Sequence, residues 1–277
     1  MEVNTIAIDL AKNVFALCAA NAAGKLIWRK ELRRAQLLGF LRKQRPCVVG
    51  MEACGGAHHW ARQLAAMGYA VRLVSPALVT PYHKGNKTDR NDAEAILEAV
   101  TRPSMRFVAV KSVAQQDLLA LHRVRSQLLK NRTALCNQLR GLLRERGVAV
   151  RSGVTALKRA LPTVLADENS EISGEIRDLL IEMSEWLRTL ETRIASCDDK
   201  LTRKFKADDR CMLLAKIPGV GPLAATALVA AVGNAHAFKN GRELSAFLGL
   251  VLDSILRVAN ESCSESPSEV TATCVLC

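Results

Sequence analysis

Four carboxylates in the first third of the chain stand where a metal site could form. They are Asp9 after the apolar residues 3–8, Glu52 after residues 47–51, and Asp89 and Asp92 in a polar segment. Nuclease-like sites need several carboxylates, because two Mg²⁺ ions about 4 Å apart must be held on hard oxygen ligands. The formal net charge of +12 suits a polyanionic partner. Together these features indicate phosphodiester chemistry on nucleic acid.

Each acid also has a purely structural explanation. An Asp that closes a strand is an ordinary turn or helix-cap residue, and this explains each of the four better when it is taken singly. If the segment from Thr88 is helical, Asp89 and Asp92 share one face and Thr88 could cap the helix. The neighbouring basic residues, which fit either phosphate binding or a solvated loop, are His83, Lys84, Lys87 and Arg90. Only the complete set favours a catalytic interpretation.

The first hundred residues alternate between strand and helix patterns. Three strands, at residues 3–9, 13–20 and 25–31, form a plausible meander around a turn at 21–24. The pattern then predicts a helix at 35–44, a strand at 47–51, a helix at 57–67 and a strand at 70–75. An α/β sheet is the simplest architecture for this order.

Long helical periodicity begins near residue 110. Leucines at helical spacing alternate with basic residues, and a second amphipathic stretch covers about 171–206. Separated by residues 153–169, the two stretches predict a helical hairpin or a dimerising coiled coil. The basic side chains form either a nucleic-acid surface or a solvated exterior, and they are Arg123, Arg125, Lys130, Arg132, Arg140, Arg144 and Arg146.

A glycine-containing turn follows at residues 214–222, where Gly219 and Gly221 precede the small residues 224–228. Such a turn can present backbone N–H groups to phosphate at the start of a helix. The alternative is a simple turn between helices.

Other residues favour no further site. The nine Cys have no regular spacing, no apolar stretch reaches the roughly 18–20 residues of a membrane span, and no signal peptide is recognisable. We therefore expect a soluble protein with free thiols and no membrane partner. Cys54, His58 and His59 lie near Glu52, but a carboxylate cluster suits Mg²⁺ better than a transition metal.

Three motifs resemble the DEDD transposases of bacterial insertion sequences, the 110/116/902 family. They are residues 6–9 with Lys12, residues 51–55 and residues 87–93, and the resemblance covers about residues 1–250. It implies an α/β RNase-H-like, Holliday-junction-resolvase-like catalytic domain at 1–103, then a helical linker or coiled coil at 104–208. A small, incomplete α-helical second transposase domain, with a helix-hairpin-helix-like segment, would occupy 209–250.

The resemblance also implies the site and its partners. Asp9, Glu52, Asp89 and Asp92 would be catalytic and would coordinate Mg²⁺ or Mn²⁺, and the nucleic-acid contacts would include Lys84, Lys87, Arg90, Gly219 and Gly221. The expected function is that of a transposase or recombinase. The expected partners are DNA at the element ends and target, a structured guide RNA from the element, and further copies of the chain. The expected location is the bacterial cytoplasm, in association with the nucleoid.

The resemblance stops just after residue 250, where the family has a Gly-rich basic segment with a nucleophilic serine. Residues 251–277 instead hold one Arg against four acids. Read one base upstream from Asp253, the codons can spell Arg-Gln-Tyr-Ser-Thr-Gly-Gly-Lys-Arg. We therefore expect a frameshift, a non-native and disordered tail at 251–277, no nucleophilic serine in this chain, and impaired transposition. The alternatives are a metal-dependent, structure-specific DNA endonuclease and a non-catalytic nucleic-acid-binding remnant.

Overall fold

The structure is a computed structural model, and it describes residues 2–83, 89–167 and 171–249. The side chains of Asp89, Arg90 and Ala237 are not part of that description. The chain divides into two compact units, one ending at Ser112 and the other beginning at Val113. Among the described residues, no helix has the length and apolar character that crossing a membrane requires.

The first unit is built on one six-stranded mixed sheet. Its strands are β1 (Thr5–Asp9), β2 (Val14–Ala20), β3 (Leu26–Arg33), β4 (Val48–Glu52), β5 (Ala70–Val74) and β6 (Phe107–Val108). The spatial order is β3-β2-β1-β4-β5-β6. The first three strands form an antiparallel meander, β1, β4 and β5 are parallel, and β6 pairs antiparallel with β5. The predicted meander and the predicted α/β sheet are both confirmed.

Within the described residues of this unit, four α-helices accompany the sheet, and two of them carry most of the packing. They are α1 (Leu37–Leu41), α2 (Ala57–Ala66), α3 (Pro76–Val79) and α4 (Asp89–Thr101). Because side chains alternate between the faces of a strand, Ile6 and Ile8 point to one face and Ala7 to the other. Ile6 and Ile8 join a core with Trp60 and Leu64 of α2. Ala7 belongs to a second core, which includes Ala93 and Val100 of α4.

Small residues let α4 lie close to the sheet. The core beneath it includes Ala7, Ala16, Cys18, Ala20, Ala93, Ala95 and Ala99. At Gly50 of β4 the approach is tightest, since a Cβ there would lie 3.0 Å from the Val100 Cβ and closer still to Cγ2. Contacts below about 3 Å are not tolerated without a shift, so glycine is required by this packing.

The second unit is helical in its described part. Its helices are α5 (Val113–Arg144), α6 (Val154–Ala166), α7 (Gly174–Lys206), α8 (Asp209–Leu214), α9 (Pro222–Val232) and α10 (Gly241–Phe247). The two predicted long helices are confirmed as α5 and α7. They pack antiparallel, because Leu139 and Leu143 share a core with Leu187, while Arg125 forms an ion pair with Asp198.

Helix α6 lies between the two long helices, in a segment for which the sequence pattern predicts no helix. Pro162 inside it disfavours a helix by removing a hydrogen-bond donor. Leu157 and Leu161, four residues apart, are nevertheless buried in the same core as α5 and α7. Tertiary burial of this apolar stripe outweighs the local cost of the proline.

A buried histidine joins α5 to α9. The His122 side chain is only 7% exposed, and its Nε2 lies 3.0 Å from Thr226 Oγ1. The Thr226 hydroxyl in turn lies 2.8 Å from the backbone oxygen of Pro222. Burial lowers the pKa of His122, and the positive charge of Arg125 lowers it further.

This lowered pKa makes the stability of the second unit depend on pH. Below about pH 6.5 the unfolded chain binds a proton at His122 that the folded chain binds less readily, so stability falls as the pH falls. The slope from one such group is at most about 1.4 kcal/mol per pH unit. Thermal unfolding followed by circular dichroism from about pH 7.5 down to about pH 5 should show this fall, and His122→Gln should reduce it.

The exposed His236 supplies the matched control, and the slope of His236→Gln is the reference against which the slope of His122→Gln is compared. Burial also lowers the pKa of His58, and this accounts for a residual slope of stability against pH in the first unit. An unchanged slope in folded His122→Gln would contradict this role for the buried histidine.

Candidate active site

Asp9 and Glu52 end two neighbouring parallel strands. The register pairs Ile8 with Met51, so the next residue of each strand lies at the same edge of the sheet. By strand alternation, Asp9 shares the face of Ala7, and Glu52 shares the face of Gly50. Both carboxylates therefore project toward the face that α4 covers.

The thiol of Cys54 is influenced by both carboxylates. Burial raises the pKa of Cys54, and the negative charges of Glu52 and Asp9 raise it further. The two acids are thus close enough to one thiol to act on it electrostatically. A local concentration of negative charge of this kind is suited to a cation.

Asp92 lies in the first turns of α4, four residues before the fully buried Ile96. Its Oδ1 is 3.1 Å from Nδ1 of His83. The distance is that of an ion pair, but Oδ1 is buried and has no hydrogen bond of acceptable geometry within the described residues. Oδ1 of Asp92 is therefore a buried carboxylate oxygen with unused capacity for a ligand.

Helix α4 is tied to the sheet along its length. Arg29 of β3 pairs with Glu94 at 2.5 Å, and the Cys18 thiol of β2 donates to the backbone oxygen of Ala93 at 3.2 Å. Near the other end, Arg72 of β5 donates to the backbone oxygen of Val100 at 3.3 Å. These contacts fix the helix that carries Asp92 against the strands that carry Asp9 and Glu52.

The described side chains do not form a complete metal cluster. Within residues 2–83, 89–167 and 171–249, no three or more His, Cys, Asp and Glu side chains are grouped closely enough to hold an ion. Asp89 and Arg90 belong to α4, but the positions of their side chains are not described, and Lys84 and Lys87 lie outside the described residues. The structure therefore brings Asp9 and Glu52 together, does not group the described Asp92 side chain with them closely enough to hold an ion, and leaves the side-chain position of Asp89 open.

The donor chemistry nevertheless fits a hard divalent cation. Mg²⁺ and Mn²⁺ prefer carboxylate oxygens, and Asp9, Glu52 and Asp92 supply them. The buried, unbonded Oδ1 of Asp92 is the structural observation that fits an ion best. The half-buried thiol of Cys54 is a softer donor, and its raised pKa keeps it protonated.

The glycine turn predicted near residue 218 joins α8 to α9. Gly219 has φ +86°, a left-handed conformation that favours glycine, and Gly221 is extended before Pro222 begins α9. Among the described residues, no atom lies within 4 Å of a Cβ built on either glycine. The turn is therefore open to an approaching ligand, and the first N–H groups of α9 point out of the helix end.

Comparison with known proteins identifies the family. A family model described as a transposase matches residues 6–146, and a model of the transposase IS116/IS110/IS902 family matches residues 211–254. The chain belongs to the IS110/IS116/IS902 transposase family.

Curated relatives of this transposase extend the match to most of the chain. A probable family 20 transposase from Pseudomonas aeruginosa is 46% identical over 252 residues, which are 91% of this chain and 75% of the relative. The transposase for insertion sequence element IS1111A of Coxiella burnetii is 42% identical over 250 residues, covering 90% and 69%. The transposase for IS1328 of Yersinia enterocolitica is 37% identical over 250 residues, covering 90% and 74%.

Two side chains near the acids of the transposase have neighbours that the sequence does not reveal. His83 lies against Asp92, whereas the sequence places it among basic residues that fit either phosphate binding or a solvated loop. Cys54, for which the sequence indicates no role, lies within electrostatic reach of both Glu52 and Asp9. The only signal for either was nearness in sequence to an acid, which does not distinguish a contact from a loop residue.

Proposed function

We propose that this transposase holds Mg²⁺ or Mn²⁺ with Asp9, Glu52, Asp89 and Asp92 for cleavage of insertion-sequence DNA, and that strand transfer is impaired by loss of the serine segment after about residue 251. The observation that carries the proposal is the placement of Asp9 and Glu52 at the ends of adjacent parallel strands, facing α4. An antiparallel meander joined to parallel strands also suits the RNase-H-like, Holliday-junction-resolvase-like sheet that the resemblance implies.

The acidic side chains position the reacting groups. When bound, divalent ions supply the charge that stabilises the attacking and leaving oxygens of an in-line displacement. Asp9 and Glu52 offer oxygens from the rigid sheet, and Asp92 offers a buried Oδ1 from α4. His83 lies beside the Asp92 carboxylate, with its Nδ1 3.1 Å from that oxygen. Asp89, one helical turn earlier, completes the set in this proposal.

Basic residues supply the contacts to nucleic acid in this proposal. Lys84, Lys87 and Arg90 adjoin the acids in sequence, and the open turn at Gly219 and Gly221 would serve as the helix-hairpin-helix-like segment. Helix α5 carries Arg and Lys residues against the single acid Asp117. We propose that these features bind DNA at the element ends and target, together with a structured RNA from the element. The proposed assembly is a homo-oligomer.

The experiment that tests this function is a cleavage assay with the full chain, radiolabelled element-end DNA and millimolar Mg²⁺, because carboxylate sites for this ion are weak. Element-end cleavage that needs the divalent ion supports the proposal. Cleavage confined to branched DNA, without regard to element sequence, would favour the structure-specific endonuclease. Salt-sensitive binding without cleavage would favour a non-catalytic remnant.

A frame change after about residue 251 is a further part of the proposal. We expect the DNA across codons 248–277 to encode, one base upstream, the Ser-Thr-Gly-Gly-Lys segment in which the family serine lies. Determining that nucleotide sequence tests this directly. If the frame is present, restoring it should raise transposition from background, and if the frame is absent, the inferred frameshift is wrong.

A further inference from the structure

Helix α7 carries a second stripe of residues beside its buried one. The buried stripe has the alternating spacing of three and four residues and comprises Leu180, Met183, Leu187, Ile194, Cys197 and Leu201, with half-buried Leu190. A parallel row with the same spacing is exposed at every position. This outer stripe comprises Glu175, Leu179, Glu182, Trp186, Thr189, Arg193, Ser196, Lys200 and Arg203. Such spacing is the pattern by which one helix packs along another.

Trp186 is the most prominent member of the outer stripe. Its side chain is 68% exposed, and Leu179, two turns earlier on the same line, is 46% exposed. A buried Trp removes roughly 150–250 Å² from water, so leaving one on the surface forgoes a large stabilisation. Because Trp186 and Leu179 lie two turns apart on one line, a single partner helix can cover both.

The charges on the two flanks of α7 are used differently. On the flank opposite the outer stripe, Glu191 pairs with Lys158 of α6, and Asp198 pairs with Arg125 of α5. Within the described residues, no ion pair is formed by the charged members of the outer stripe, which are Glu175, Glu182, Arg193, Lys200 and Arg203. The charges on the first flank are thus paired within the chain, whereas those of the outer stripe are available to pair with a partner.

The order of these charges matches a reversed copy of itself. Acids occupy the first half of the outer stripe and basic residues the second half. Suppose that two copies of α7 pack antiparallel, with a two-fold axis between residues 187 and 188. Each residue of one copy then faces the residue of the other copy that lies equally far on the opposite side of that axis. The facing pairs are then Glu175 with Lys200, Leu179 with Ser196, Glu182 with Arg193, and Trp186 with Thr189.

We propose that the outer stripe of α7 is a homodimer surface, on which a second copy of this chain packs its own α7 antiparallel. Two-fold symmetry makes each facing pair occur twice, which gives four interchain ion pairs around two Trp side chains. The contact would run about 37 Å, from Glu175 to Lys200, at 1.5 Å per residue. This inference deepens the oligomer part of the proposed function, on which it rests, by naming its surface, and it does not depend on the metal cluster.

Other occupants fit the stripe less well. A parallel copy would oppose acid to acid and base to base, which is destabilising. Nucleic acid would meet Glu175 and Glu182 on either side of Leu179, and these carboxylates repel phosphate. The antiparallel copy is the arrangement that uses the apolar and charged residues together.

Charge exchange tests the pairing. Sedimentation velocity of the full chain, without nucleic acid and in moderate salt, should show a concentration-dependent dimer. Glu182→Arg and Arg193→Glu should each weaken dimerisation by about tenfold or more, because each places two pairs of like charges in contact. The double variant Glu182→Arg/Arg193→Glu should restore the wild-type dissociation constant to within about threefold.

Glu185→Arg is the matched control, since Glu185 is exposed on α7 but lies off the outer stripe. It should dimerise as the wild type does, and circular dichroism should show equal helix content in all variants. A monomeric wild type, single variants that dimerise normally, or a double variant that fails to recover would overturn the proposal. Mn²⁺ binding measured on the same variants should not change, so failure of the dimer and failure of the metal site remain distinguishable.

Discussion

Asp9→Asn is expected to lower divalent-metal-dependent cleavage of element-end DNA by about 10²- to 10³-fold or more. The substitution keeps the size of the side chain but removes the negative charge that Asp9 brings to the edge of the sheet beside Glu52. An amide is a poorer ligand for a hard cation than a carboxylate. Single-turnover cleavage rates at saturating DNA measure the effect without interference from product release.

Glu98→Gln provides the control on the same unit. Glu98 lies on α4, as Asp92 does, but it pairs with Arg102 at the surface. Its loss should change the cleavage rate by no more than about twofold, because exposed ion pairs contribute little. Equal rates for Asp9→Asn and wild type, with DNA binding intact, would rule out Asp9 as a ligand in the reaction.

Gly50→Ala should cost about 2–3 kcal/mol of folding free energy and also impair the site. A Cβ at position 50 would press into the side chain of Val100, which is β-branched and fully buried. Helix α4 must then move away from β4, and Asp92 moves with it. We expect urea unfolding to show a lower midpoint and metal-dependent cleavage to fall in the folded fraction.

The double variant Gly50→Ala/Val100→Ala should recover much of this loss. Val100→Ala alone leaves a cavity beneath α4, and the new Cβ at position 50 fills part of it, so the two substitutions should be non-additive by about 1–2 kcal/mol. Gly39→Ala is the matched control, because no described atom lies within 4 Å of a Cβ in that position of α1. It should be neutral or slightly stabilising. Additive losses in the double variant would mean that the close packing at Gly50 does not position α4.

The sequence predicted the strands and long helices of this transposase because their periodicities are strong. Alternating apolar residues identified β1 and β2, and the leucine spacing identified α5 and α7. Because Asp9 and Glu52 each end a buried strand, the sequence also indicated that they lie at one edge of the sheet. Parallel pairing of those strands then brought the acids together.

The remaining features depend on packing that no local pattern encodes. Helix α6 forms despite Pro162 because its leucines are buried against α5 and α7. The contact of His83 with Asp92 joins residues on either side of the undescribed residues 84–88, so spacing alone did not predict it. The catalytic and binding roles of all the predicted site residues stay predictions: Asp9, Glu52, Asp89, Asp92, Lys84, Lys87, Arg90, Gly219 and Gly221.

The most direct test of the metal site is anomalous diffraction from a crystal of the full chain soaked in Mn²⁺. We predict an anomalous peak bound by carboxylate oxygens of Asp9 and Glu52, at about 2.0–2.3 Å, with Asp89 or Asp92 completing the ligands. A well-ordered site in which these carboxylates bond only to protein groups, with Mn²⁺ absent at saturating concentration, would contradict it.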